Sequence, residues 1–436
     1  MRVALALLSW LGLALAAPRW REVSANGSWP DPRYSHTAVV TPDGEMLLFG
    51  GNTLDAVNHL FAFNFARAEW TRLKPQGEAP AKRYGHSAVA LGDGRMLVFG
   101  GFNGSFLGDL QEYTPTRCDG DACTPPLWQR LSCTGTPPCA RDGHAAMLLP
   151  DGRTMLVIGG FDGKHCFNDV HALDIATLTW RQIAATGKDA EGGAAMPAPR
   201  YLHTVAPCKG ASGFLMFGGQ GPGVEPPPPR LRTMRLHTRT RTMHGLFACA
   251  LARLRAYVLT RLRLRSSTRT ACTCACPLAA RWPCPPAHRA FALVTAGYVD
   301  GDAPFANDVW RFDMGAAAEE GAEGAKGAEE GGEGAKVGSS RGVWRRLNAS
   351  GAAPSPAFGH TAAADGAGHV FLFGGFGGQF SNELHVFSHN ASDGGDGGAW
   401  ARVAHKGEMP SPRHKHSMVL SPQVPAAAHQ YIVTSM

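Results

Sequence analysis

At 436 residues the chain is longer than one hydrophobic core usually fills, so it either divides into domains or repeats a single unit. Hydrophobic residues make up 44%, enough for a packed interior, and 54 glycines with 31 prolines suit many short strands joined by turns. The net charge of +7 comes mostly from one atypical segment, so nucleic acid is not an expected partner of the fold.

Residues 1–16 have the organisation of a secretory signal peptide. Arg2 precedes an apolar run from Val3 to Leu15, and the small residues Ala14, Ala16 and Ala17 place the cut at Ala16–Ala17. The run is short for a transmembrane helix, and no stable membrane span is expected elsewhere. The expected location is therefore secreted, or the lumen of the endoplasmic reticulum and secretory pathway. Asn26, Asn103, Asn348 and Asn390 head sequons and are candidate glycosylation sites. Eleven cysteines in an oxidising compartment suggest disulfide bonds. Cys118 with Cys123, and Cys133 with Cys139, could close two small loops or cross-link the two loops. The odd total leaves one thiol free or joined to another chain.

One pattern then recurs. Pro and Arg are followed by His three residues after the Arg, then a β-rich stretch ending in Gly-Gly, then Asn or Asp before an apolar pair, then Trp. The first copy runs through Pro32, Arg33, His36, Gly50-Gly51, Asn58 and Trp70. The second has Pro80, Arg83, His86, Gly100-Gly101, Asp109 and Trp128, and the third Pro138, Arg141, His144, Gly159-Gly160, Asn168-Asp169 and Trp180. A fourth starts with Pro199, Arg200, His203 and Gly218-Gly219 and then fades. A fifth keeps only its second half, Ala296-Gly297, Asn307-Asp308 and Trp344. A sixth has Pro356, His360, Gly374-Gly375, Asn382 and Trp400, with Ala357 in the Arg place. A seventh begins at Pro412, Arg413 and His416 and stops near Tyr431-Ile432-Val433.

Each copy offers about four strands. The strand before Gly-Gly is apolar at consecutive positions, as in Leu97-Val98-Phe99, so it is buried on both faces. A four-stranded sheet held between two similar sheets has that environment. The paired glycines permit a close approach that a Cβ would forbid, and the Trp fills the wedge between sheets. Radial repetition of such sheets gives a propeller.

These motifs resemble the Kelch family, over roughly 18–220 and 291–436. The resemblance implies an all-β, Kelch-type β-propeller of six or seven blades, with one blade shared by the N- and C-terminal strands. Counting that shared blade, seven are expected, with six as the alternative. Trp20–Val23 would be the outer strand of a blade whose first strands lie near 413–436. Blades one to four would occupy 18–220 and blades five to seven 291–436.

Residues 221–290 interrupt the repeat with thirteen arginines, no lysine and five cysteines. This basic low-complexity insertion is expected to be disordered or an artefact of the gene model. Residues 315–336, rich in Gly, Ala and Glu, are expected to form a disordered loop between third and fourth strands.

Residues that recur in every blade are explained most simply by the blade. By that test His36, His86, His144, His203, His360 and His416, the Trp set and the Gly-Gly pairs are structural. In peptide-binding Kelch propellers, the connection between blades and the turn after Gly-Gly line the channel mouth. By that resemblance the candidate binding face is Arg33, Arg83, Arg141, Arg200, Arg413, Asn52, Phe102, Phe161, Gln220 and Phe376. Arginines and exposed aromatics are what binding hot spots favour.

A radical copper oxidase of the galactose-oxidase type is the enzymatic alternative. Only seven tyrosines are present, and Tyr34, Tyr84 and Tyr201 fill a repeat slot. No H-E-x-x-H, G-x-S-x-G or P-loop occurs. The expected function is non-catalytic binding of a protein or glycan, with no catalytic residue, metal or cofactor. An intracellular Kelch adaptor is the alternative if residues 1–16 are not a signal peptide.

Overall fold

The computed structural model describes residues 19–20, 22–120, 122–188, 193–208, 213–221, 305–314, 341–365, 367–389, 397–420 and 431–434. These belong to one compact unit, 1–224 with 298–436; a second unit, 225–297, lies outside the described residues. So do the expected signal peptide, the loop 315–336, Asn390 and all but the first residue of the basic insertion.

Among the described residues every regular element is a strand, and five sheets of five strands recur. In the first blade the strands Thr37–Val40, Glu45–Phe49, Leu60–Asn64 and Glu69–Leu73 run from inside to outside, all antiparallel. The fifth strand, Asn26–Gly27, pairs parallel to Glu69–Trp70 at the outer edge. The inner strands of the next blades are Ser87–Ala90, Ala145–Leu148, Thr204–Pro207 and Thr361–Ala364.

Alternation along the second strand explains why these sheets stack. Leu47 and Phe49 pack with Met96, Val98 and Trp128 of the second blade. Met46 and Leu48 point the other way and pack with Val419 of the sixth position. Among the described residues every core cluster spans two blades in this manner. The blade Trp lies against the second-strand Phe of the blade before it, with ring centroids 5.0 Å apart for Phe49–Trp128 and 5.4 Å for Phe99–Trp180.

The glycine pairs have a specific steric cause. Gly50 and Gly51 have φ of 64° and 97°. A Cβ on Gly50 would come within 2.7 Å of the His86 ring in the next blade, and one on Gly51 within 2.9 Å of His36. Thus the His and the Gly-Gly of the repeat are one packing unit. The imidazole Nε2 of His86 lies 2.9 Å from Thr37 Oγ1 of the preceding blade, and His144 Nε2 lies 2.8 Å from Ser87 Oγ. The corresponding residue for His203 is Ala145, and both His203 ring nitrogens are buried without a partner. Ala145→Ser is expected to raise stability by about 1 kcal/mol; an unchanged or lower denaturation midpoint would contradict this account.

The ring closes at six positions, which corrects the seven blades expected from sequence. A circle of backbone hydrogen bonds links Ser35, Gly85, Gly143, Leu202, Gly359 and Lys415, each N–H donating to the next carbonyl at 2.6–2.9 Å. All six have φ between 52° and 65°. The miscount has a physical reason: the fourth and fifth sequence copies are halves of one sheet. Gly213–Phe217 pairs with Val309–Met314, which pairs with Arg341–Arg346. Arg200 binds Asp308 across 108 residues of sequence. Ala296-Gly297, expected to begin the fifth copy, lie outside the described residues; the strand beside Val309–Met314 is Gly213–Phe217, which leads into Gly218-Gly219.

At the sixth position Ser417–Leu420 pairs with Tyr431–Thr434. Arg19–Trp20 pairs parallel to Lys406–Gly407, as the outer strands of the other blades do. Trp20 packs 5.1 Å from Phe373, in the manner of the blade tryptophans. Among the described residues Arg19–Trp20 and the Ser417–Leu420/Tyr431–Thr434 pair belong to separate two-stranded sheets, with Trp20 and Met418 in one apolar cluster with Phe373.

Candidate functional site

The residue after each repeat Arg forms a bridge with the residue after Gly-Gly: Tyr34 with Asn52, Tyr84 with Phe102, Asp142 with Phe161, Tyr201 with Gln220 and Phe358 with Phe376. The next residue in the chain belongs to the hydrogen-bonded circle, so these pairs form a collar around the channel mouth. Below it the six repeat histidines line a narrow neck of about 120 Å³.

The collar is largely aromatic. One arc runs from Tyr34 to Tyr84, Phe102, Phe106, Phe161 and Tyr201, with neighbouring centroids 4.8–6.3 Å apart. A second arc joins Phe305, Phe358, Phe376, Phe380 and His414 at 5.0–5.6 Å. Tyr34 is 42% exposed and Phe380 41%. Two charges interrupt the rings. Asp142 replaces an aromatic residue, and burial pushes its carboxyl up to about 6, with Lys415 pulling the other way. Burial lowers Lys415, and Asp142 opposes that. Burial and the Lys415 charge push His414 down to about 4.

Of the residues expected at the binding face, Asn52, Phe102, Phe161, Gln220 and Phe376 are all in the collar. Arg33, Arg83, Arg141 and Arg200 are not: each is at most 4% exposed. Arg83 donates from Nη1 to the Gly100 carbonyl at 3.0 Å and from Nε to Ala81 O at 3.0 Å, and its two Nη groups hold the Asp109 carboxylate at 2.9 and 2.8 Å. Arg141 and Arg200 repeat this with Gly159 and Asp169, and with Gly218 and Asp308. Arg33 reaches the Gly50 carbonyl, but His59 takes the place of the acid. These arginines tie the blade connection to the sheet and cannot touch a ligand. Arg413 is half-buried and bonds the Ser411 carbonyl and hydroxyl.

Sequence reasoning missed Asp142, Phe106, Phe305, Phe358, Phe380 and His414. The slot after Arg carried the signal: it reads Tyr, Tyr, Asp, Tyr, Phe, His around a ring whose other positions repeat. Cys118 and Cys123 are joined in a disulfide, whereas Cys133 and Cys139 are free thiols, which corrects their expected pairing. Arg141 Nη2 donates to Cys139 Sγ at 3.2 Å. Asn26, Asn103 and Asn348 are exposed. No helix among the described residues is long and apolar enough to cross a membrane.

A family model described as the KLHDC2/KLHL20/DRC7 Kelch-repeats domain matches residues 9–219 and 122–244. Acyl-CoA-binding domain-containing protein 6 of Oryza sativa subsp. japonica is 30% identical over 222 residues, 49% of this chain and 31% of that protein. Kelch domain-containing protein 3 of Bos taurus is 45% identical over 65 residues, 14% of this chain and 16% of that protein. The Bos taurus Rab9 effector protein with kelch motifs is 32% identical over 107 residues, covering 23% and 26%. The chain thus spans less than a third of the length of these relatives.

Proposed function

This chain belongs to the Kelch-repeat family, and on that premise we propose that its propeller binds a protein partner across the channel mouth and catalyses no reaction. The observation that carries the reading is the aromatic collar. Binding hot spots favour large aromatic side chains that lose water at little entropic cost. A polypeptide segment laid over the mouth would bury the Tyr84–Phe102–Phe106–Phe161 arc and meet one acid and one base, Asp142 and Lys415. The binding face is thus built from the variable residues of an otherwise repeating ring. The proposed location is the secretory lumen or the extracellular space, supported by the organisation of residues 1–16 and the exposed sequons.

The test uses the full chain as bait against secretory-lumen and cytosolic extracts, beside Phe102→Ala/Phe161→Ala. The double variant is expected to lose at least about tenfold in affinity for the captured partner, because each truncated aromatic contact is worth about 1–2 kcal/mol. Its thermal midpoint should stay within a few degrees. Undiminished capture removes the collar as the site, and capture from the cytosolic extract alone removes the location.

A further inference from the structure

In the fifth blade the chain keeps the Arg slot and omits the Arg. The backbone of Ala357 is held as the arginine backbones are. Its carbonyl accepts from Gly219 N at 3.0 Å and its N–H donates to Ala306 O at 3.3 Å; Arg141 makes the same pair with Gly101 and Leu107. Only the side chain is missing. The acceptors that bind the guanidinium elsewhere have counterparts here: the Gly374 carbonyl for Gly159, the Ser355 carbonyl for Cys139, and Glu383 for Asp169. Glu383 keeps the flanking bond of its counterpart, since His385 Nε2 lies 3.0 Å from Oε2 as His171 Nε2 lies 3.1 Å from Asp169 Oδ2. Its other oxygen meets Arg402 Nη2 at 2.9 Å, on a side chain that is 65% exposed.

The slot opens into a cavity of about 590 Å³. Ala357, Ser355, Gly374, Glu383, Asn307 and Phe380 are among the residues on its wall. Asp308, committed to Arg200 at 2.6 Å, adds a second carboxylate. The space thus offers carbonyls and a Glu383 carboxylate whose present partners are His385 and the exposed Arg402, and it opens beside an exposed Phe. A planar group with several N–H donors satisfies the two carbonyls and the carboxylate together, whereas an ammonium can satisfy them only in part.

We propose that the slot vacated at Ala357 binds a guanidinium group supplied from outside, the side chain of an arginine on a protein partner. This deepens the protein-binding reading by assigning one contact its chemistry. It rests on that reading only for the source of the arginine.

The experiment titrates the full chain with N-acetyl-arginine amide, which stands for an arginine within a protein, and separately with free arginine and N-acetyl-lysine amide. Saturable binding of the arginine amide is expected, at least about tenfold tighter than the lysine amide. Ala357→Arg, which supplies the missing group internally, should abolish it, and Glu383→Gln should weaken it about tenfold or more. Ala357→Arg should retain the wild-type thermal midpoint or exceed it, and Glu383→Gln should stay within a few degrees of it. No saturable binding by either arginine probe, or undiminished binding in Ala357→Arg and Glu383→Gln, overturns the proposal. Saturation by free arginine alone overturns the protein source. These titrations contain no partner protein, so a failure here leaves the Phe102/Phe161 test unaffected.

Discussion

Arg141→Ala is expected to destabilise the propeller by about 3 kcal/mol, because it leaves a largely buried carboxylate, 18% exposed, without its counter-charge. Burial alone would raise Asp169, yet hydrogen bonds from His171 and Arg141, with the Arg141 charge, hold it down at about 2. The same substitution also removes donors from the Gly159 and Cys139 carbonyls. The repeat supplies an internal control. Arg33 has no buried acid at its site, because His59 stands there and its ion-pair partner Asp31, 4.0 Å away, is 73% exposed, so Arg33→Ala orphans no buried carboxylate. Its cost should be about 1–2 kcal/mol, from lost hydrogen bonds to the Asp31 and Gly50 carbonyls. Chemical denaturation of the two variants measures the difference. Replacing Arg141 and Asp169 together by apolar residues of similar size should recover most of the loss. Equal costs for Arg33→Ala and Arg141→Ala would mean that the ion pair does not anchor the blades.

Acidification is expected to unfold the protein cooperatively between about pH 6 and pH 4. Burial lowers His86 well below its ordinary value, His144, His203 and His416 to about 3, and His360 to about 4. Neighbouring arginines act in the same direction on His86, His144, His203 and His416. These folded values lie below the unfolded value near 6.5, so the unfolded chain binds more protons in this range. The stability contributed by the neutral imidazoles is complete above about pH 6.5 and is lost as the pH falls toward 4. Each histidine contributes up to about 1.4 kcal/mol per pH unit. Five together reach on the order of 5–10 kcal/mol by pH 5, comparable to the whole stability of a typical domain. The Asp169 carboxylate acts later, because its folded value near 2 makes its loss felt only below about pH 4. Tryptophan fluorescence and near-ultraviolet circular dichroism follow the transition, since the blade tryptophans pack between sheets. A protein that keeps both signals at pH 4 would falsify the account of a dry histidine ring.

Much of this architecture was legible in the residues themselves. Apolar runs such as Leu97-Val98-Phe99 announced strands buried on both faces, and Gly-Gly announced a close approach. The approaching group, the His of the next blade, was invisible because it lies 36–44 residues away along the chain, and 142 away for Gly218 and His360. The blade number was misread for a related reason. Two half-copies separated by a long interruption look like two damaged repeats until Arg200 is seen to grip Asp308.

By itself the sequence determined the repeat: which positions recur and which strands are doubly buried. Those features follow from local composition and periodicity, which any one copy displays. Only the tertiary structure decided that the ring closes at six and that the repeat arginines face inward onto Asp109, Asp169 and Asp308. It also decided that the variable slot after each Arg forms the channel mouth. Closure and side-chain direction depend on which distant segments come together, and a repeat unit encodes its interface with a neighbour without encoding how many neighbours complete the circle.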